Sequence, residues 1–376
     1  CIFRSAGEAD PERRVKLMGA GLYLHVPFCR RKCPYCNFYS VPAQPELLTA
    51  YTAAVCRNLR HYGNAAQPER VDTVYFGGGT PSLLLPAQIA QILETATEQF
   101  ALSADAEITL EANPVTVTPE QLRELRHAGI NRLSLGVQSL SDAQLKRLGR
   151  LHTAQEAVET VYAAAEAGFR NLSCDLMLAL PEQTADELEQ TISRLVQLPI
   201  THVSAYLLKV EQGTPFAVQH VAEYCPDDDT AADLYLQAVE QLGAAGFLQY
   251  EISNFAKAGF ESRHNCKYWH CEPYLGIGPS AHSCWNGKRF FVPSAVSDFL
   301  EQPVQPVETE DETPCTPEEK LLLGMRLTEG VPASWLAEKQ AAAERYCKLG
   351  FLQKVGERIA FTPKGFLVSN TILAEL

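Results

Sequence analysis

The sequence runs to 376 residues, 46% apolar and 20% charged, an ordinary globular composition with room for one large domain and a smaller one. Its 32 basic and 45 acidic side chains leave a formal charge of −13, which repels phosphate backbones and disfavours nucleic acid as the main ligand. No apolar run reaches the roughly 18 residues of a transmembrane segment. Twelve cysteines spread over this length are not a secreted disulfide framework, so a reducing cytoplasm is the expected setting.

Residues 1–17 are charged and aperiodic, whereas Met18 is followed by the apolar run Leu22-Tyr23-Leu24-His25-Val26. We expect Met18 to be the start, with 1–17 a disordered extension. From there, β-rich runs at 21–26, 72–77, 107–112, 131–137, 170–177 and 202–208 alternate with helical patterns near 45–61, 86–100, 118–128, 141–149, 153–167 and 184–197. Thr118-Pro119-Glu120, Ser141-Asp142 and Pro86 are helix starts, and Gly129 and Gly168 stand where left-handed C-caps belong. Six such units predict an α/β fold, a partial (β/α)6 barrel over 18–245, with ligands gathered at the carboxyl ends of its strands. A further helix is expected near 227–245. Residues 246–300 are aromatic-rich and irregular and are expected to close the barrel. A Pro/Glu/Thr-rich linker follows at 301–317, then a small, mainly helical C-terminal domain at 318–376. Cys56, Cys174 and Cys347 sit in apolar surroundings and are expected to be core residues.

Chemistry concentrates after the first strand, in His25-Val26-Pro27-Phe28-Cys29-Arg30-Arg31-Lys32-Cys33-Pro34-Tyr35-Cys36-Asn37-Phe38. This spacing lets one loop wrap Cys29, Cys33 and Cys36 around one metal centre. Zinc normally takes four protein ligands and would need a distant histidine, whereas three thiolates on a [4Fe–4S] cluster leave one iron open. Arg30, Arg31 and Lys32 either offset the cluster's negative charge or form a solvated loop. After the second strand, Gly77-Gly78-Gly79-Thr80 lets backbone amides approach a ligand. Glu111 ends the third strand, where its carboxylate can accept two ribose hydroxyls or serve as a helix cap or surface ion pair. Gln138 and Asp175 are polar on otherwise apolar strands, and buried they need a partner.

The C-x₃-C-x₂-C loop resembles the radical S-adenosylmethionine (SAM) superfamily. Its flanks, His25-Val26-Pro27-Phe28-Cys29 and Gly77-Gly78-Gly79-Thr80-Pro81-Ser82, resemble the branch of oxygen-independent coproporphyrinogen III oxidases and their heme chaperone relatives. The resemblance implies a [4Fe–4S] cluster and reductive cleavage of SAM to a 5′-deoxyadenosyl radical, with an electron donor such as flavodoxin or ferredoxin. It implies one or two SAM molecules on Tyr23, Tyr35, Gly78, Gly79, Thr80, Glu111, Gln138, Arg150 and Asp175. The oxidase motif continues Cys-Gly-Cys, whereas this chain has Cys36-Asn37-Phe38, so its extra thiol is absent. The segment His264-Asn265-Cys266-Lys267-Tyr268-Trp269 is similar to the H-N-x-x-Y-W motif of the heme chaperones. That likeness implies heme on His264, Tyr268 and Trp269 and transfer to heme-accepting apoproteins. The residues alone equally allow His264 to cap a turn while Tyr268 and Trp269 fill the core. Cys266, Cys271, His270 and His282 are further candidate ligands, and Gly276 to Ala281 a tight loop that could pack against adenine. Heme chaperone is the main expectation, with porphyrinogen oxidase the alternative and another radical SAM reaction behind it.

Overall fold

A computed structural model describes residues 19–64 and 66–376; the extension expected at 1–17 and the start at Met18 lie outside them. Six parallel strands follow one another in space as in sequence: β1 Ala20–Val26, β2 Arg70–Gly78, β3 Ala101–Ala112, β4 Arg132–Gln138, β5 Asn171–Leu178 and β6 His202–Leu207. Their apolar side chains are buried almost throughout, as a parallel sheet covered by helices requires. The covering helices are α1 Pro45–Tyr62, α2 Pro86–Gln99, α3 Pro119–His127, α4 Asp142–Arg147, α5 Ala154–Glu166, α6 Ala185–Leu195 and α7 Asp228–Ala244. Three open on reciprocal capping boxes, Thr118 with Gln121, Thr153 with Glu156 and Thr184 with Glu187. Gly129 (φ 112°) and Gly168 (φ 95°) take the left-handed conformation just past α3 and α5, as their positions predict.

Beyond α7 the chain is more regular than its composition suggests. Strands β7 Leu248–Gln249 and β8 Asn254–Ala256 extend the sheet past β6, with β8 antiparallel to it. On the other side β9 Tyr274–Ile277 lies parallel to β1, and β10 His282–Trp285, β11 Lys288–Phe291 and β12 Glu308–Asp311 add antiparallel strands outward. One twelve-stranded sheet results, in the order β12-β11-β10-β9-β1-β2-β3-β4-β5-β6-β8-β7. The segment expected to close the barrel therefore widens the sheet, and the linker expected at 301–317 contains a strand. Gly276 and Gly278 belong to this extension: a Cβ on Gly278 would stand 2.4 Å from the His25 carbonyl oxygen, so the loop packs against β1.

The C-terminal part comprises α9 Pro317–Gly324, helices at Gln340–Lys348, Pro363–Leu367 and Ser369–Leu373, and a three-stranded antiparallel sheet of Val331–Pro332, Leu352–Val355 and Arg358–Phe361. Beside its helices this part holds the hairpin Leu352–Val355 and Arg358–Phe361. Cys56 and Cys174 are buried, while Cys347 is half-buried. No helix among the described residues is long and apolar enough to cross a membrane.

The short helix α8 Arg263–Trp269, the floor helix, precedes α9 in the chain. It plugs the amino-terminal end of the barrel. The Glu107 carboxylate accepts from the backbone N–H of Arg263 (3.2 Å) and His264 (3.1 Å), capping the helix from inside β3. Lys267 is buried and reaches Asp72 at 2.8 Å, Glu272 at 3.0 Å and the Gly19 carbonyl at 2.7 Å. Removing this ammonium strands two carboxylates in a low-dielectric setting. Lys267→Met is expected to lower unfolding free energy by about 3–5 kcal/mol, read by chemical denaturation; an unchanged midpoint would refute the pinning role.

Candidate metal centre at the barrel mouth

Cys29 closes the two-residue strand Phe28–Cys29, which pairs in parallel with Val41–Pro42. Bonds from Val41 N to Pro27 O (2.8 Å) and Ala43 N to Cys29 O (3.1 Å) tie the two ends of the cysteine loop together. Within it Cys36 N donates to Cys33 O at 3.1 Å, and all three thiols are partly exposed. Gly79 makes the docking possible: a Cβ there would lie 2.7 Å from the Phe28 oxygen and 2.9 Å from its nitrogen. The glycine run is thus a seat for the loop.

Two groups donate toward the sulfurs. Thr80 Oγ1 is 3.5 Å from Cys29 Sγ, and Arg150 Nη1 is 3.6 Å from Cys33 Sγ and 3.5 Å from the Tyr35 hydroxyl. Arg150 is held by the Gly136 carbonyl at 2.7 Å and by Asn113 Oδ1, while its Nε is buried without a partner among the described residues. Arg30 and Arg31 turn outward to the carbonyls of Val115 and Gly149. Partly exposed thiols on one loop, a cation beside them and an unsatisfied guanidinium nitrogen suit an anionic thiolate-bound cluster.

A second set lies beside this loop. The Glu111 carboxylate accepts from the Tyr75 hydroxyl at 2.7 Å and from Gly78 N at 3.2 Å. Tyr23 donates to or accepts from His25 Nδ1 at 2.9 Å, and its ring is 6.2 Å from Tyr75. Asp175 accepts from Ser134 at 3.1 Å. Gln138 is left-handed (φ 66°) where the β4–β5 register shifts, a strained turn at the strand's carboxyl end. The structure therefore brings Cys29, Cys33, Cys36, Tyr23, Tyr35, Gly78, Gly79, Thr80, Glu111, Gln138, Arg150 and Asp175 to one side of the sheet at or near its carboxyl edge.

Burial pushes the Glu111 carboxyl up to about 7 and the Asp175 carboxyl to about 6. A group raised by folding holds more protons folded than unfolded, so its contribution to stability falls as pH climbs from its ordinary value through the raised one. Comparison with Glu111→Gln isolates this from the buried histidines, whose shifts run the other way. The variant is expected to gain stability relative to the wild type between pH 4.5 and about 7 in ligand-free melts. A constant difference across that window would sink the assignment.

The expected heme residues lie elsewhere. His264 is fully buried, with Nδ1 2.8 Å from Thr73 Oγ1 and Nε2 2.9 Å from the Tyr268 hydroxyl. Thr73 stands five residues before Gly78 on β2, roughly 17 Å along an extended strand. Both ring nitrogens of His264 are therefore engaged, and its ring packs 5.2 Å from that of Tyr75. Tyr268 packs edge-on against Tyr274 at 4.6 Å, and Trp269 is half-buried, its Nε1 without a partner among the described residues. Burial pushes the Cys266 thiol up to about 12. His270 meets Glu329 at 3.2 Å, and His282 stacks on Phe291.

Sequence reasoning passed over several participants. Asn113 was visible only as the residue before Pro114. Tyr75 read as an ordinary strand aromatic. Residues 208–224 form a cover whose Phe216 packs 6.0 Å from Tyr35 and donates its N–H to Pro34 O; no motif marks that segment. Arg132, fully buried at the start of β4, was signalled by a lone cation opening an apolar run.

Three cysteines on the loop after the first strand of a β/α partial barrel, with a glycine seat and a carboxylate on the next strands, define a radical SAM protein. The Radical SAM superfamily model matches residues 23–195. Heme chaperone HemW of Mycobacterium tuberculosis (strain ATCC 25618 / H37Rv) is 35% identical over 370 residues, covering 95% of this chain and 94% of that protein. Heme chaperone HemW of Escherichia coli is 40% identical over 269 residues, covering 71% of each. The chain belongs to the HemW heme chaperone family. A mouse relative, radical S-adenosyl methionine domain-containing protein 1, mitochondrial, is 44% identical over 266 residues, 70% of this chain, which spans 60% of its length. The solved structure of coproporphyrinogen III oxidase HemN from Escherichia coli superposes with a TM-score of 0.80 at 21% identity, over 98% of this chain and 93% of that one, a likeness of fold.

Proposed function

We propose that this chain is a cytoplasmic heme chaperone that carries a [4Fe–4S] cluster and SAM, binds heme and passes it to heme-accepting apoproteins. The observation that carries the reading is the cysteine loop itself. It offers three sulfurs, and where the oxidase motif places a further cysteine this chain has Phe38, 68% exposed at the mouth. When bound, the cluster supplies an electron, received from a donor such as flavodoxin or ferredoxin, for reductive cleavage of SAM.

The chain's own residues have distinct tasks. Cys29, Cys33 and Cys36 would hold the cluster, Arg150 and Thr80 donate toward the sulfurs, and Gly78 and Gly79 let the ligand and the loop come close. Glu111, deprotonated, would accept the ribose hydroxyls, with Tyr23, Tyr35, Gln138 and Asp175 completing the surroundings that would hold SAM. For heme to use His264, one ring nitrogen must give up its partner, Thr73 or Tyr268, while the other can keep its hydrogen bond.

The test is anaerobic reconstitution followed by parallel assays of heme transfer to an apo-hemoprotein, 5′-deoxyadenosine and decarboxylation. Heme transfer is expected, with no carbon dioxide from coproporphyrinogen III, SAM and reductant. Stoichiometric conversion to protoporphyrinogen would instead establish the oxidase reading.

A further inference from the structure

Far from the cysteine loop, a second group of thiols converges from three separate segments. Cys271 follows the floor helix, Cys284 lies on β10, and Cys315 stands two residues before α9, whose first turn carries Glu319. One donor atom each from Cys271, Cys315 and Glu319 lies within 4.8 Å of the others. Cys284 stands outside that group of three but touches it, its Sγ 3.7 Å from Cys315 Sγ. We propose that Cys271, Cys284, Cys315 and Glu319 bind a single zinc ion, or a soft divalent ion of the same class, as a structural site.

The spacing favours a shared metal over a disulfide. Two sulfurs bound to one tetrahedral zinc at about 2.3 Å stand about 3.8 Å apart, whereas bonded sulfurs are about 2.05 Å apart. The observed 3.7 Å, a thiol–thiol contact, lets both sulfurs take the first arrangement without a change in their separation. Three sulfur donors select zinc-like ions over magnesium or calcium, which take oxygen. The carboxylate is already aimed: Glu319 Oε2 accepts from Cys315 N at 2.6 Å, and its other oxygen pairs with Arg289. That outer contact orients the ligand and offsets part of the negative charge of a thiolate-rich centre. On binding, three S–H bonds give way to three metal–sulfur bonds and the protons pass to solvent.

Three donors already converge, and a rotation of Cys284 toward them adds the fourth that closes the coordination sphere of a structural site. It would fasten the end of the floor helix, the added strands and α9 to one another. Tyr268 and Tyr274, which meet edge-on at 4.6 Å, line the same cavity as Cys271, Cys284 and Glu319. The clamp therefore bears on the helix that carries His264. It rests on these residues alone and does not depend on heme or SAM being bound.

The experiment measures zinc in the full chain, both as iron-loaded protein and in a Cys29→Ser, Cys33→Ser, Cys36→Ser background that removes the first site as a zinc trap. One zinc per chain is expected in both, and Co²⁺ in the triple-serine background should give thiolate charge-transfer absorption. Adding Cys315→Ser or Cys271→Ser there should weaken retention by more than about ten-fold, while Cys56→Ser should leave it unchanged. Should these variants fail to fold, X-ray absorption on the triple-serine protein gives the same answer: mainly sulfur neighbours are expected. Zinc at buffer level, retention untouched by Cys315→Ser, an oxygen- and nitrogen-only sphere, or a Cys284–Cys315 disulfide in metal-free protein would each overturn the proposal.

Discussion

Cys33→Ser is expected to reduce bound iron and sulfide to background after anaerobic reconstitution, and to abolish formation of 5′-deoxyadenosine, while the fold survives. The middle cysteine bears the guanidinium contact, with Arg150 Nη1 at 3.6 Å, so its loss removes a ligand and the thiolate that this buried-side cation faces. Two remaining thiolates cannot hold four irons against exchange with solvent. The fold has no such dependence. The three sulfurs are partly exposed, and the loop ends are tied by backbone bonds at 2.8 and 3.1 Å. Far-ultraviolet circular dichroism and ligand-free melting should therefore be unchanged. Iron retained at wild-type stoichiometry would show that another ligand set carries the cluster.

His264→Ala should cost on the order of 2–4 kcal/mol of stability. The substitution leaves the Thr73 and Tyr268 hydroxyls short of a partner and opens a space beneath Tyr75, all in a fully buried setting. Urea denaturation reads the loss directly. Heme titration of the same variant separates two roles. If heme absorption weakens in step with stability, His264 acts by positioning the floor helix and the aromatic layer under Glu111. If heme absorption is lost while the denaturation midpoint stays at its wild-type value, His264 is an axial ligand and the buried arrangement described above opens readily.

The barrel half of the molecule was legible because its signals are local and repeated. Apolar runs such as Val71 to Phe76 have room for only one structure between helix starts, and Thr118 writes one of those starts in capping chemistry. The cysteine loop was legible because its ligands lie within eight positions. The sheet extension was not, because β9 to β12 are four residues each and Glu308–Asp311 is written almost wholly in charge. Such a strand is stabilised by its neighbour and has little propensity of its own. The placement of His264 was hidden for a related reason: its partners, Thr73 and Glu107, are 191 and 157 residues away, and nothing local says which end of the barrel the motif will reach. Cys271 reads in sequence only as a candidate ligand beside the heme motif, and nothing local links it to Cys284 and Cys315, which the fold brings near it.

The outermost strand of the sheet, Glu308-Thr309-Glu310-Asp311, pairs with β11 on one side only among the described residues. Its free backbone groups would welcome a strand from another molecule, yet three carboxylates in four positions make such a newcomer's approach electrostatically costly. The acidity of this margin thus acts as a safeguard against self-association, one that acidification or replacement by amides would remove.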